Sequence, residues 1–170
     1  MKRNEIDEKL KWDTSLIYAS DDEYYSEVKE ARELADKLTD YKDKITENAD
    51  SLLNFLKDYE NLMRKFHKAG VYGHLKSDEN TADSTYQQMS QTTSIAGAEI
   101  SEKLSFITPE ILAADYEDIK KMLDEKEELK VYDHYFEDLF RNKDHVLSEN
   151  EEKILASFSK LSQNPVSTYM

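Results

Sequence analysis

The sequence predicts an all-α fold of about six antiparallel amphipathic helices in a bundle, with a long central helix near residues 80–106. Three observations predict it. Only 3 Gly and 2 Pro occur among 170 residues, too little punctuation for hairpins, sandwiches or Gly-rich phosphate loops. Apolar residues recur at spacings of three and four through most of the chain, the period of one helical face. Charged residues make up 35% of the chain and hydrophobic residues 38%, which suits one core under a heavily charged surface and is too apolar for disorder. A chain of this length can bury roughly two-thirds of the surface its unfolded form exposes.

Residues 1–20 read as an N-terminal arm that packs on a helical lobe at 21–163 and tucks Trp12 against it. The first helix starts after Ser20-Asp21-Asp22-Glu23, a Ser-x-x-Glu capping box whose acidic residues also favour the helix dipole. Tyr24, Val28, Ala31, Leu34, Leu38, Tyr41 and Ile45 form its inward stripe. After a break near Asn48, a second helix from about Asp50 or Ser51 turns Leu52, Phe55, Leu56, Tyr59, Leu62, Met63 and Phe66 inward, and Gly70 is expected to end it as a C-cap.

Tyr72 to Leu75 is then a junction, with Asp78, Asn80 and Thr81 offering oxygens to cap the central helix. That helix carries Tyr86, Met89, Thr93, Ala96, Ile100, Leu104 and Ile107 on one side. Over Asn80 to Phe106 it would be about 40 Å long, and its small residues Ser94, Ala96, Gly97 and Ala98 would let a neighbour approach closely. Thr108-Pro109 supplies an N-cap and a proline suited to a first turn, opening a fourth helix to about Leu123 with Ile111, Leu112, Ile119 and Leu123 inward. A fifth, near Lys126 to Asn142, uses Leu129, Tyr132, Phe136, Leu139 and Phe140. Val146-Leu147-Ser148-Glu149-Asn150-Glu151 is a second capping box, opening a sixth helix with Ile154, Leu155, Phe158 and Leu161. Residues 164–170 follow Asn164-Pro165 without capping logic and read as the start of a truncated continuation.

The formal net charge of −14 argues against a nucleic-acid partner, which calls for clustered Lys and Arg. The absence of Cys rules out a disulfide framework and suits a reducing compartment. Met1-Lys2-Arg3-Asn4-Glu5 leads into charged residues rather than an apolar leader, and no uncharged apolar run reaches the roughly 18 residues of a membrane span. No membrane association and a cytoplasmic location are expected.

Candidate chemistry is sparse. His67, His74, His134 and His145 fit neither His-Glu-x-x-His nor Glu-x-x-His. His134 and Asp138 share a helical face, a spacing more typical of a surface pair than of a metal site. The clusters Asp21-Asp22-Glu23, Asp124-Glu125 with Glu127-Glu128, and Glu149 to Glu152 lack the mid-loop Gly of a calcium site and read as solvated faces and caps. Tyr132, Tyr135 and Phe136 read as core ahead of a peptide groove, and Ser148 near His145 reads as a cap without a third triad member. The expectation is therefore no catalytic, cofactor-binding or metal-ligating residue in this chain.

Two blocks carry a family resemblance. Tyr72-x-x-Leu75-Lys76-Ser77-Asp78-Glu79-Asn80-Thr81-Ala82-Asp83 with Tyr86-Gln87, and Arg141-Asn142-Lys143-Asp144-His145-Val146-Leu147-Ser148-Glu149-Asn150-Glu151-Glu152-Lys153-Ile154-Leu155-Ala156, resemble the N-terminal region of oligoendopeptidase F, a thimet-oligopeptidase-like zinc peptidase. Lys11-Trp12-Asp13 through Ile17-Tyr18 and Ser20-Asp21 is similar to that family's start. The resemblance implies a cytoplasmic enzyme that cuts short peptides, in which a helical N-terminal lobe faces a zinc-bearing lobe across a deep channel.

In that family zinc is held by a His-Glu-x-x-His helix and a downstream Glu, and the motif Glu polarises the attacking water. This chain has none of those residues. What carries over is a non-catalytic lobe forming one wall of the substrate channel, inactive alone, with the C-terminal zinc lobe of the same parent and short peptides as partners. The rival reading is a free-standing acidic helical protein-interaction module. A di-metal bundle is disfavoured by the missing Glu-x-x-His pairs.

Overall fold

The computed structural model describes residues 6–145 together with Glu151 and Ile154. Apart from those two, the sixth expected helix lies outside the described residues, as do Ser148 and the expected continuation at 164–170. The described residues are all-α, without a strand among them. Six α-helices are formed there: α1 Asp21–Leu38, α2 Ala49–Glu79, α3 Ser84–Lys103, α4 Ile107–Ala113, α5 Tyr116–Glu125 and α6 Asp133–Arg141. The five helices expected before residue 146 are all present, the fourth divided into α4 and α5. The chain forms two compact units, residues 1–35 with 60–100, and residues 36–59 with 101–170.

In the first unit, the Ser20 hydroxyl accepts from the Glu23 amide at 3.4 Å, and the Glu23 carboxylate reaches back to the Ala19 amide at 3.0 Å. This is the expected capping box, with its return bond one residue further upstream. The stripe it launches packs Tyr24 and Val28 into a core with Tyr18, Ala69, Tyr72, Met89 and Ala96. From the arm, Tyr18 is the buried residue, its ring edge-on to Tyr72 at 5.1 Å and 82°. Trp12 does not tuck in as expected; it is 58% exposed.

The second helix differs from expectation most. α2 continues unbroken to Glu79, so Gly70 is no C-cap and Tyr72–Leu75 is helical rather than a junction. No glycine has positive φ. Gly73 serves close approach instead: a Cβ there would sit 3.2 Å from Thr93 Oγ1 and 3.5 Å from the Met89 carbonyl oxygen. The turn between α2 and α3 comes later, where Asn80 Oδ1 accepts from the Ala82 amide at 3.3 Å and Asp83 Oδ1 accepts from the Thr85 amide at 2.9 Å. Asp83, rather than Asp78, Asn80 or Thr81, therefore caps the central helix, which runs from 84 to 103.

The second unit is built of shorter pieces. Asn48 Oδ1 accepts from the Ser51 amide at 2.9 Å and starts α2 at the expected break. Thr108 is not an N-cap: α4 begins at Ile107, with Thr108 and Pro109 in its first turn, where a missing amide hydrogen leaves no intrahelical bond unmade. The fourth expected helix splits because Asp115 is extended and its carboxylate accepts from the Glu117 amide at 2.9 Å, capping a new helix. The fifth opens as a 3-10 stretch at Glu127–Tyr132 and becomes α-helical only from Asp133. Ile45, Leu52, Phe55, Ile111, Ile119, Leu129 and Phe136 are fully buried in this unit.

Candidate functional site

The stretch around Tyr72 to Thr93 forms a polar cluster inside the first unit. Tyr24 donates its hydroxyl proton to the Met89 carbonyl at 2.6 Å and lies 2.8 Å from Thr93 Oγ1. Thr93 in turn donates to the same carbonyl at 3.3 Å. Tyr72 donates to Asp21 Oδ1 at 2.7 Å, and Lys76 sits 3.5 Å from that oxygen with its ammonium 4.3 Å over the Tyr86 ring.

Burial raises the Tyr24 and Tyr72 hydroxyls above the usual phenol range, and the Asp21 carboxylate pushes Tyr72 further. For Lys76, burial opposes the charge, yet the Tyr86 hydroxyl and Asp21 outweigh it and the net shift is upward. Both phenols stay protonated and the lysine stays charged at neutral pH. None of these three can exchange a proton readily there, so they hold structure rather than perform acid–base chemistry.

The histidines flagged in the sequence sit at the surface. His74 is 3.5 Å from Asp78, and its side chain is 74% exposed. His134 and Asp138 do come together, at 3.5 Å, but the imidazole is 82% exposed and Asp138 is also held by Arg141 at 2.6 Å. His67 and His145 are exposed. Among the described residues no three His, Cys, Asp or Glu side chains gather as metal ligands. The described donors thus do not fit a zinc ion, which takes three or four ligands at once. Tyr132, Tyr135 and Phe136 do not form one surface either: Phe136 is fully buried and Tyr135 is 45% exposed.

Two surface features were not anticipated. In the second unit an open cleft of about 520 Å³ is lined by Ala114, Asp115, Tyr116, Glu137, Phe140, Arg141 and Lys143. Tyr116 and Phe140 stack in it with ring centres 4.8 Å apart, and Lys120 lies 4.4 Å over Tyr116. The Asp115 cap that positions Tyr116 was the available sequence signal. In the first unit, the outer side of α3 carries an exposed stripe, Ser84, Gln88, Gln91, Ile95 and Ala98. Between Ser84 and Ala98 there is no Asp, Glu, Lys or Arg, in a chain that is 35% charged. The inner side of the same helix buries Met89, Thr93, Ala96 and Ile100.

A family model described as oligopeptidase F matches residues 110–170. Over 94% of its length the chain is 35% identical to group B oligopeptidase PepB of Streptococcus agalactiae, of which it covers 26%. It is 30% identical over 98% of its length to oligopeptidase PepF of Bacillus subtilis, covering 25% of that protein. The chain thus spans about a quarter of the length of the curated relatives it matches. The crystal structure of oligoendopeptidase-F from Enterococcus faecium superposes with a TM-score of 0.75 at 30% identity, over 84% of this chain and 28% of that one. A putative peptidase from Chlamydophila abortus shares the fold, with a TM-score of 0.73 at 23% identity over 95% of this chain and 27% of that one.

Proposed function

By sequence and fold the chain corresponds to the N-terminal region of the oligoendopeptidase F family, and on that basis we propose that it is the non-catalytic helical lobe of a zinc oligopeptidase. In this reading the lobe forms one wall of a channel that admits short peptides and shuts out folded proteins. The observation that carries it is the pairing of near-complete coverage of this chain with coverage of only 26% of PepB, a much longer peptidase. Zinc, held elsewhere in the parent, would activate the water that attacks the peptide bond; this lobe's own task is shape and position. Residues 21–163 would make up the lobe, its partner would be the zinc-bearing lobe, and the enzyme would work in the cytoplasm. No helix among the described residues is long and apolar enough to cross a membrane.

The test compares the 170-residue chain with the longer enzyme that carries it, by metal analysis and turnover of a quenched peptide. Zinc and turnover in the longer protein alone are expected. Stoichiometric zinc with turnover in the short chain would overturn the non-catalytic assignment. Deleting the lobe should expose apolar surface on the zinc lobe and abolish size selection; a truncated enzyme with full activity, stability and size selection would sink the wall.

A further inference from the structure

We infer that the uncharged outer stripe of α3 is the track along which the main chain of an extended peptide lies, an assignment that rests on the channel-wall reading above. It begins with an anomaly of charge. The outer faces of the neighbouring helices in the first unit bear the charge expected of this composition: Asp22, Lys29 and Glu33 on α1, and Glu60, Arg64 and Lys68 on α2, are all exposed. α3 alone of these three replaces such residues with amides, hydroxyls and small side chains on a solvent-facing stripe.

The chemistry of the stripe selects the occupant. A docked helix or folded lobe calls for a desolvated apolar centre with large anchors. The stripe offers only Ile95, itself 41% exposed. A peptide main chain instead presents alternating donors and acceptors and no net charge. The Gln side chain matches it with one acceptor oxygen and two donor hydrogens. The amides of Gln88 and Gln91 make no hydrogen bond among the described residues, whereas the Gln87 amide is already spent on Ser77 Oγ at 2.9 Å.

Electrostatics points the same way. With a net charge of −14, an acidic wall would repel acidic peptides and trap basic ones. A neutral track reads the backbone and stays indifferent to side-chain charge. From Ser84 to Ala98 the stripe extends about 21 Å at 1.5 Å per residue, the length of roughly six extended peptide residues. Its base is rigid, because Tyr24 and Thr93 pin the Met89 carbonyl and a Cβ on Gly97 would already meet Phe66 Cζ at 2.9 Å. A surface held this firmly loses little freedom when a peptide binds.

A photoreactive side chain at position 91 of the intact enzyme, exposed to a neutral decapeptide of Ala, Gly and Ser, reads the contact without needing turnover. A saturable cross-link to the peptide, competed away by unlabelled peptide, is expected. Cross-linking to another segment of the enzyme, or to nothing, overturns the assignment and in the former case marks the stripe as a protein interface. Kinetically, Gln88→Glu and Gln91→Glu should each raise the KM of an Asp-rich peptide relative to a Lys-rich one by about fivefold, the scale of a partly exposed charge interaction, with kcat little changed. Equal KM values for the two peptides in both variants would defeat it. An unmodified enzyme that cuts no peptide defeats the underlying channel-wall reading instead, which separates the two failures.

Discussion

The two units hold themselves together in different ways. The first closes helices on one another through missing and buried atoms: glycines where α3 nears α2, and the Tyr24 and Tyr72 hydroxyls hydrogen-bonded inside the core. The second assembles short helices by tying polar side chains to backbone ends and by pairing charges at the surface. Glu110 is the clearest example, its two carboxylate oxygens accepting from the Asp43 and Ile45 amides at 2.9 Å each. Interior packing is intolerant of single atoms, whereas polar ties fail one bond at a time. Substitutions in the first unit should therefore have larger effects, and effects whose sign depends on tenths of an ångström.

Tyr24→Ala should be the most damaging single change, costing about 4 kcal/mol in urea unfolding because it empties a fully buried ring. Tyr24→Phe should cost only about 1–2 kcal/mol, since Thr93 still donates to the Met89 carbonyl. If the two variants were equally unstable, the hydroxyl and not the ring would be holding the unit.

The glycines offer a test of sign. Ala in a helix interior is worth about 1 kcal/mol over Gly where space allows. At Gly70 the nearest atom to an added Cβ is Thr93 Cγ2 at 3.6 Å, ordinary contact, so Gly70→Ala should raise stability by about 0.5–1 kcal/mol. At Gly97 the added Cβ meets Phe66 Cζ at 2.9 Å, and the ring must swing away, so Gly97→Ala should lower stability by about 1 kcal/mol net. Phe66→Leu in the same chain should remove that penalty. Stabilisation at both glycines would show that α3 has room to shift.

In the second unit, Glu110→Gln keeps one acceptor but turns an amide hydrogen toward a backbone donor. About 1–2 kcal/mol of stability should be lost. Hydrogen exchange should locate the loss, with the Asp43 and Ile45 amides exchanging about tenfold faster. Uniformly faster exchange through the unit would instead mean that the clamp is coupled to the whole core.

How much of this was legible follows from the range of the interactions. The Ser20-x-x-Glu23 box, the Asn48 break and the buried stripes are local patterns, and the structure reproduces them. Gly70 was expected to end α2 because a C-cap is the local meaning of Gly, yet the helix continues through it to Glu79. Gly73 owes its place to α3, where Thr93 Oγ1 lies 3.2 Å from where a Cβ would sit, more than a dozen residues away in sequence. Asp115 lay within an otherwise continuous apolar period, so its capping bond to Glu117 stayed hidden. The Tyr116–Phe140 stack needs the pairing of α5 with α6, which no short window contains. Of the small residues expected to let a neighbour approach, Gly97 does pack closely on Phe66, while Ser94 and Ala98 face solvent; the absence of charge over 84–98 gains its meaning only once the outer face of α3 is known.

The smallest predicted effect is also the best probe of the second unit's surface ties. Lys57 lies 2.9 Å from Glu128 and holds its carboxyl below the ordinary range, both groups being well exposed. A carboxyl whose folded-state pKa is depressed contributes stability above its unfolded pKa and loses it as pH falls through the folded value. The difference in melting temperature between the wild-type chain and Glu128→Gln should thus be small and positive at pH 7, shrink with added salt, and vanish as the pH drops through the carboxylate range. A difference that persisted in acid would reveal a packing role for Glu128, and the second unit would then depend on close fit as the first one does.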